Sequence, residues 1–230
     1  MAKVQAWGAG GSASASTIAA APSSNLTAGN AIIAVVANHA SAIQTVSSIS
    51  GGGGSSWAKA VAQTGGTTRD IEIWYSTGVT GGSAPTITVT FSAATFAAVT
   101  FVEVSGLSST PLDKTATDTS SGSPGDAGTT TALTAANEFV IAGWNVLGAG
   151  PTGITYSWSS ALTSQTNETE QQNTGSNKVN LLTSDGISGS SGVTETLTIT
   201  YTTGTNWDGC TATFLAASGA NQSGFFGLMS

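Results

Sequence analysis

The chain has 230 residues, a net charge of −7 and only 7% charged residues, against roughly 25% in an ordinary soluble domain. Ser, Thr, Gly and Ala take the place of the missing charges. The five cations (Lys3, Lys59, Arg69, Lys114 and Lys178) are scattered, which excludes a phosphate-binding patch and with it nucleic acid as a partner.

The first residues, Met1 to Trp7, lack the apolar core of a secretory signal. No stretch approaches the roughly 18 apolar residues of a membrane span, since Asn30, Asn38 and His39 interrupt the nearest one. Strands are expected at Lys3 to Trp7, Ser14 to Ala20, Ala31 to Val36 and Ile71 to Tyr75, divided by glycine clusters at Gly51–Gly54, Gly65–Gly66 and Gly78–Gly82. Thr86 to Phe91 alternates strictly, placing Ile87, Val89 and Phe91 on one face and three threonines on the other. The alternation lapses over Ser92 to Phe96, where one helical turn is expected, and resumes from Val99 to Val104. Residues 108–131 are rich in Ser, Thr, Gly and Pro and read as a crossover, with a strand-like stretch from Lys114 to Thr119. Strands follow at Phe139 to Asn145 and at Glu195 to Tyr201, the latter copying the alternation of Thr86 to Phe91. No amphipathic helix is apparent.

The second half echoes the first. Leu26-Thr27-Ala28-Gly29-Asn30 reappears as Leu133-Thr134-Ala135-Ala136-Asn137, Ile71 to Trp74 as Val179 to Leu182, Thr86 to Phe91 as Thr196 to Tyr201, and Val99 to Ser105 as Thr211 to Ala217. What recurs is apolar alternation with turns, the mark of a duplicated structural unit. The chain is therefore expected to be all-β: one antiparallel β-sandwich of jelly-roll character over residues 1–230, with repeats at about 25–107 and 132–218 joined by the 108–131 crossover and followed by a 219–230 tail. Two tandem Ig-like domains split near Ser120 are the alternative.

Reactive constellations are sparse. His39 has no nucleophile motif beside it, and the lone Cys210 cannot close an internal disulfide and reads as a small buried residue. Glu168 and Glu170 share one side if they lie on a strand, as a solvated pair. Glu103 shares a face with Phe101, and either pairs with Arg69 or lines a wet outer face. Asp113, Asp118 and Asp126 are spaced too irregularly for a calcium loop, and Gly51–Ser56 lacks the lysine of a phosphate cradle. No catalytic set, metal or cofactor is expected. Of the six tryptophans, Trp74 and Trp144 read as core, while Trp57, Trp158 and Trp207 stand near strand ends and could stack on a glycan. The apolar tail residues Phe225, Phe226, Leu228 and Met229 are the candidate contacts to a partner subunit.

Gly29-Asn30, Ile73-Trp74-Tyr75-Ser76, Thr86 to Phe91 and Phe101-Val102-Glu103-Val104-Ser105-Gly106-Leu107 together resemble a β-sandwich module of tailed-phage and other bacterial-virus structural proteins, with relatives among bacterial surface proteins. The resemblance covers most of residues 25 to 218 and rests on fold-keeping residues. It implies a virion component made in the host cytoplasm, such as a capsid decoration (cement) protein, or a tail or fibre protein. Its partners would then be other virion subunits, as a homo-oligomer on the particle. A carbohydrate-binding module or adhesin, extracellular or on a cell surface, is the alternative.

Overall fold

The computed structural model describes residues 1–148, 151–202 and 206–218. These form sixteen strands: β1 (Ala2–Gly10), β2 (Ala15–Ala20), β3 (Ala31–His39), β4 (Val46–Ser50), β5 (Ala58–Gly65), β6 (Arg69–Ser76), β7 (Ile87–Ser105), β8 (Leu107–Ser121), β9 (Gly125–Asp126), β10 (Glu138–Val146), β11 (Thr155–Trp158), β12 (Thr163–Asn167), β13 (Gln171–Asn173), β14 (Val179–Ser188), β15 (Leu197–Thr200) and β16 (Asn206–Ala216). No helix occurs among the described residues. The all-β antiparallel sandwich anticipated from the alternation is the architecture observed.

The layering is deeper than one sandwich. An inner sheet runs β1-β7-β3-β6-β5, and a second runs β12-β14-β10-β16-β8, with β13 beside β12 on β14. Read from β1 and from β8, the two have corresponding orders. Their facing sides pack together through Ile33, Val35, Ile71, Ile73, Val102 and Val104 from one sheet and Phe139, Ile141, Val179, Leu181, Ala212 and Phe214 from the other. Each inner sheet buries its opposite side under a small outer sheet. β2 and β4 flank the first part of β7 over Ile32, Ala34, Val36, Val99 and Phe101, while β11-β15-β9 covers Val140, Ala142, Trp144 and Leu182. Four layers thus enclose three apolar seams.

This stacking explains the sequences of the central strands. Ala31 to Ala37 and Phe139 to Trp144 are continuous apolar runs because both faces are covered. Thr86 to Phe91 alternates because its threonines face outward. The echoed segments place matching residues on matching faces at Ile71 and Ile73 against Val179 and Leu181. The Asn30/Asn137 match is one residue out of step, with Ile32 facing its outer sheet and Phe139 facing the central seam. A shift of one residue reverses every face in a strand, so it is Ile33, not Ile32, that shares the central seam with Phe139.

The helical turn expected at Ser92 to Phe96 is absent. β7 continues through it, pairing with β2 and β4 up to Thr95 and with β1 and β3 from Phe96 onward. The alternation lapses there because the strand leaves one sheet and enters another. The crossover is likewise mostly strand: β8 forms an edge of the second inner sheet against β16.

Candidate functional site

Two places combine polar groups with accessible or internal space. The first is an open cleft of about 560 Å³ between the β4–β5 loop and β6, lined by Ser47, Ser48, Gly53, Ser55, Trp57 and Trp74, among others. Gly51 at φ 96° turns the chain into this loop, and a Cβ there would lie 2.5 Å from the Thr86 carbonyl oxygen, so only glycine fits. Trp57 Nε1 donates to the Gly51 carbonyl at 3.2 Å, and its ring stands edge-on to Phe101 with centroids 6.4 Å apart. The Trp74 indole donates to Glu72 Oε2 at 2.6 Å, and Lys59 Nζ lies over its ring, 5.1 Å from the centroid. Lys59 also pairs with Glu72 at 2.7 Å, while Glu72 Oε1 accepts from the Val46 amide at 2.8 Å. Both tryptophans are thus fixed by their N–H groups and only half-buried. Serine hydroxyls, loop backbone and Ile49 supply the remaining walls.

This corrects three tryptophan expectations. Trp74 belongs to the cleft, not the core. Trp158 and Trp207 are buried in the second outer seam, with Nε1 bonded to Ser184 Oγ at 3.1 Å and to the Gly122 carbonyl at 3.0 Å. Neither can offer a ring face to a glycan. Trp57 alone of the three reaches a cleft. Trp74 was missed because alternation does not reveal which stretch of a sheet its neighbour leaves uncovered.

The second place is the seam between the inner sheets, where ionisable groups line the ends of the apolar layer. At one end Arg69 pairs with Asp208, both buried, and the Asn145 amide donates to the Asn38 carbonyl at 3.0 Å. Burial pushes Asp208 up to about 6, against the opposing pull of Arg69. Asp70, on the other face of β6, lies against Glu72. Burial and this neighbour push it up to about 9. At the other end Lys3 of β1 reaches across to Glu168, in the β12–β13 loop, and Asp185, on β14. Burial and the adjoining Glu168 push Asp185 up to about 8. A smaller cavity of about 190 Å³ opens beside them, lined by Ala6, Trp7, Thr100, Glu168, Thr169 and Gln171.

The other sequence candidates resolve individually. Glu103 is wholly buried and accepts from Gln5, the Thr27 amide and Asn30 at 2.7–2.8 Å, anchoring the loop before β3. It neither meets Arg69 nor faces water. Glu168 and Glu170 lie in a loop, not on one strand face, and Glu168 is engaged by Lys3. His39 ends β3, half-buried opposite Arg69, and burial lowers its pKa. Cys210 is fully buried in the central seam, which raises its pKa. Asp113 bonds Lys114 and Thr134, and Asp126 bonds the Gly128 amide. Among the described residues no three His, Cys, Asp or Glu side chains cluster as a metal site. Phe225, Phe226, Leu228 and Met229 lie outside the described residues. Comparison with protein-family models, curated proteins and solved structures finds no match to this chain.

Proposed function

We propose that this protein is a structural subunit of a multi-copy particle, of the kind that decorates or cements a virion shell. One observation carries the reading: the charges are spent internally. Of the twelve carboxylates only Asp118 is exposed, and four of the five cations contact a carboxylate. Among the described residues only Val4 stands out as an exposed large apolar side chain. A charge-poor surface rich in hydroxyls packs against neighbours with little charge to desolvate, and such contacts depend weakly on salt. The long-range ion pairs serve to hold the stack. Immuno-electron microscopy of particles from the source organism, using antibody to this chain, is expected to show regular multi-copy labelling. Recovery of the chain only as free monomer overturns the reading.

The Trp57–Trp74 cleft favours a second reading, binding of a neutral glycan. Flat indole faces suit the apolar faces of a sugar ring, and serine hydroxyls with loop carbonyls suit its hydroxyls. Binding on a glycan array that is lost in both Trp57→Ala and Trp74→Ala supports it. Binding that survives in both variants excludes the cleft.

A further inference from the structure

We infer that Lys3 and Asp185 are joined by an intramolecular amide bond that ties the two inner sheets covalently. The geometry supplies the three groups such a reaction needs. Lys3 Nζ, the nucleophile, contacts Glu168 Oε1 and lies 3.7 Å from Asp185 Oδ2. The Asp185 side chain is 0% exposed, and among the described residues no N–H or O–H donates to either of its oxygens. A buried carboxyl left so bare is costly, and conversion to an amide removes one of its oxygens altogether. Burial also favours its neutral acid form, as attack at its carbon requires, because a carboxylate repels a nucleophile. The two groups come from strands that are not hydrogen-bonded to each other and are held in place by the sheets on either side, so attack is effectively unimolecular.

Glu168 is the catalytic residue. Its backbone N–H donates to the Thr183 carbonyl at 2.8 Å, fixing the carboxylate beside Lys3. It takes one proton from the Lys3 ammonium. The amine lone pair forms the N–C bond to Asp185 Cγ, and the carbonyl electron pair moves onto oxygen. As that pair returns, the C–OH bond breaks and the hydroxyl leaves as water with the proton held by Glu168. The second ammonium proton passes to solvent past the Lys3 side chain, which is 20% exposed. Ammonium and carboxylic acid thus give amide, water and one proton, with no oxidant or activating group.

The Lys59, Glu72 and Asp70 group is an internal control. It has the same three residue types, but Lys59 is 37% exposed and no Lys59–Asp70 contact falls within ion-pair distance. No bond is expected there.

The test is intact-mass spectrometry of the denatured full chain, compared with Lys3→Arg and Glu168→Gln. The wild type is expected to be lighter than its sequence by one water, and both variants to have full mass while folded by circular dichroism. Trypsin cuts after Lys178, which places Glu168 and Asp185 in different peptides. The digest should therefore give a branched peptide joining the Lys3 segment to residues 179–230, uncut at Lys3 and cut at Lys59. Full mass in the wild type overturns the inference. So does a branch to the Glu168 peptide, or water loss with Lys3 and Asp185 in separate peptides, which marks a succinimide at Asp185-Gly186. A wild-type extent of linkage in Glu168→Gln removes Glu168 from its assigned role.

Discussion

Replacing Asp70 with asparagine tests whether this fold holds buried carboxyls as neutral acids. Asp70 is wholly inaccessible, with Glu72 beside it, and its pKa rises from 3.8 to about 9. The folded state therefore keeps a proton that the unfolded chain releases above pH 3.8. The sign follows directly: stability is greatest in mild acid and falls as pH rises through the window between those values. Each pH unit costs about 1.4 kcal/mol, which accumulates to about 4 kcal/mol by pH 7. Asparagine has nearly the same shape, has nothing to titrate, and can donate to Glu72. Asp70→Asn is thus expected to be more stable than the parent by several kcal/mol near pH 8 and to match it near pH 4. Urea unfolding followed by tryptophan fluorescence at the two pH values measures the difference. An equal change in stability at both values would refute the neutral-acid reasoning.

Further outcomes follow from the central seam. Arg69→Met strands the Asp208 charge in the interior and is expected to cost about 3–5 kcal/mol in urea unfolding, most of it recovered in the Arg69→Met/Asp208→Leu double variant. Gly143→Ala places a Cβ 2.4 Å from Val35 Cγ1 across the two inner sheets. It should destabilise by about 1–3 kcal/mol through overpacking, measured by thermal melt. Phe214→Ala empties a site packed edge-on against Tyr75, with centroids 5.5 Å apart, and is expected to cost about 3–5 kcal/mol. Because both halves build that layer, calorimetry of Phe214→Ala should still show one transition, and two resolved transitions would contradict a shared core.

Strand identity was largely legible in the sequence, and the arrangement of layers was not. Thr86 to Phe91 and Glu195 to Tyr201 alternate because one face of each meets solvent, so their periodicity reports burial directly. Ala31 to Ala37 and Phe139 to Trp144 carry a different signal, unbroken apolarity, which marks strands covered on both sides. Ser92 to Phe96 resembled a break because periodicity registers a change of environment, and β7 changes sheets there. The buried charges were hidden for another reason. Glu103, Asp185 and Asp208 are satisfied or confined by groups far away in the chain, and nothing local distinguishes them from solvated carboxylates. The Lys3, Glu168 and Asp185 group draws on residues from both halves of the chain. Half of the cleft was foreseeable: Trp57 follows a glycine run that forces a loop, whereas Trp74 sits in a strand whose outer sheet stops short of it.

The order in which the strands are made sets a constraint of its own. Ala2 pairs with Ser105, so β1 waits for a strand made about a hundred residues later. When β7 has emerged, the first half can close its outer seam, but Ile33, Val35, Ile71 and Ile73 still lack their cover. A nascent chain stalled at that stage displays a broad sticky plane, the kind of intermediate that chaperones retain and that aggregates when they do not. Truncations ending before β10 are therefore expected to collect in inclusion bodies, whereas the full chain remains dispersed.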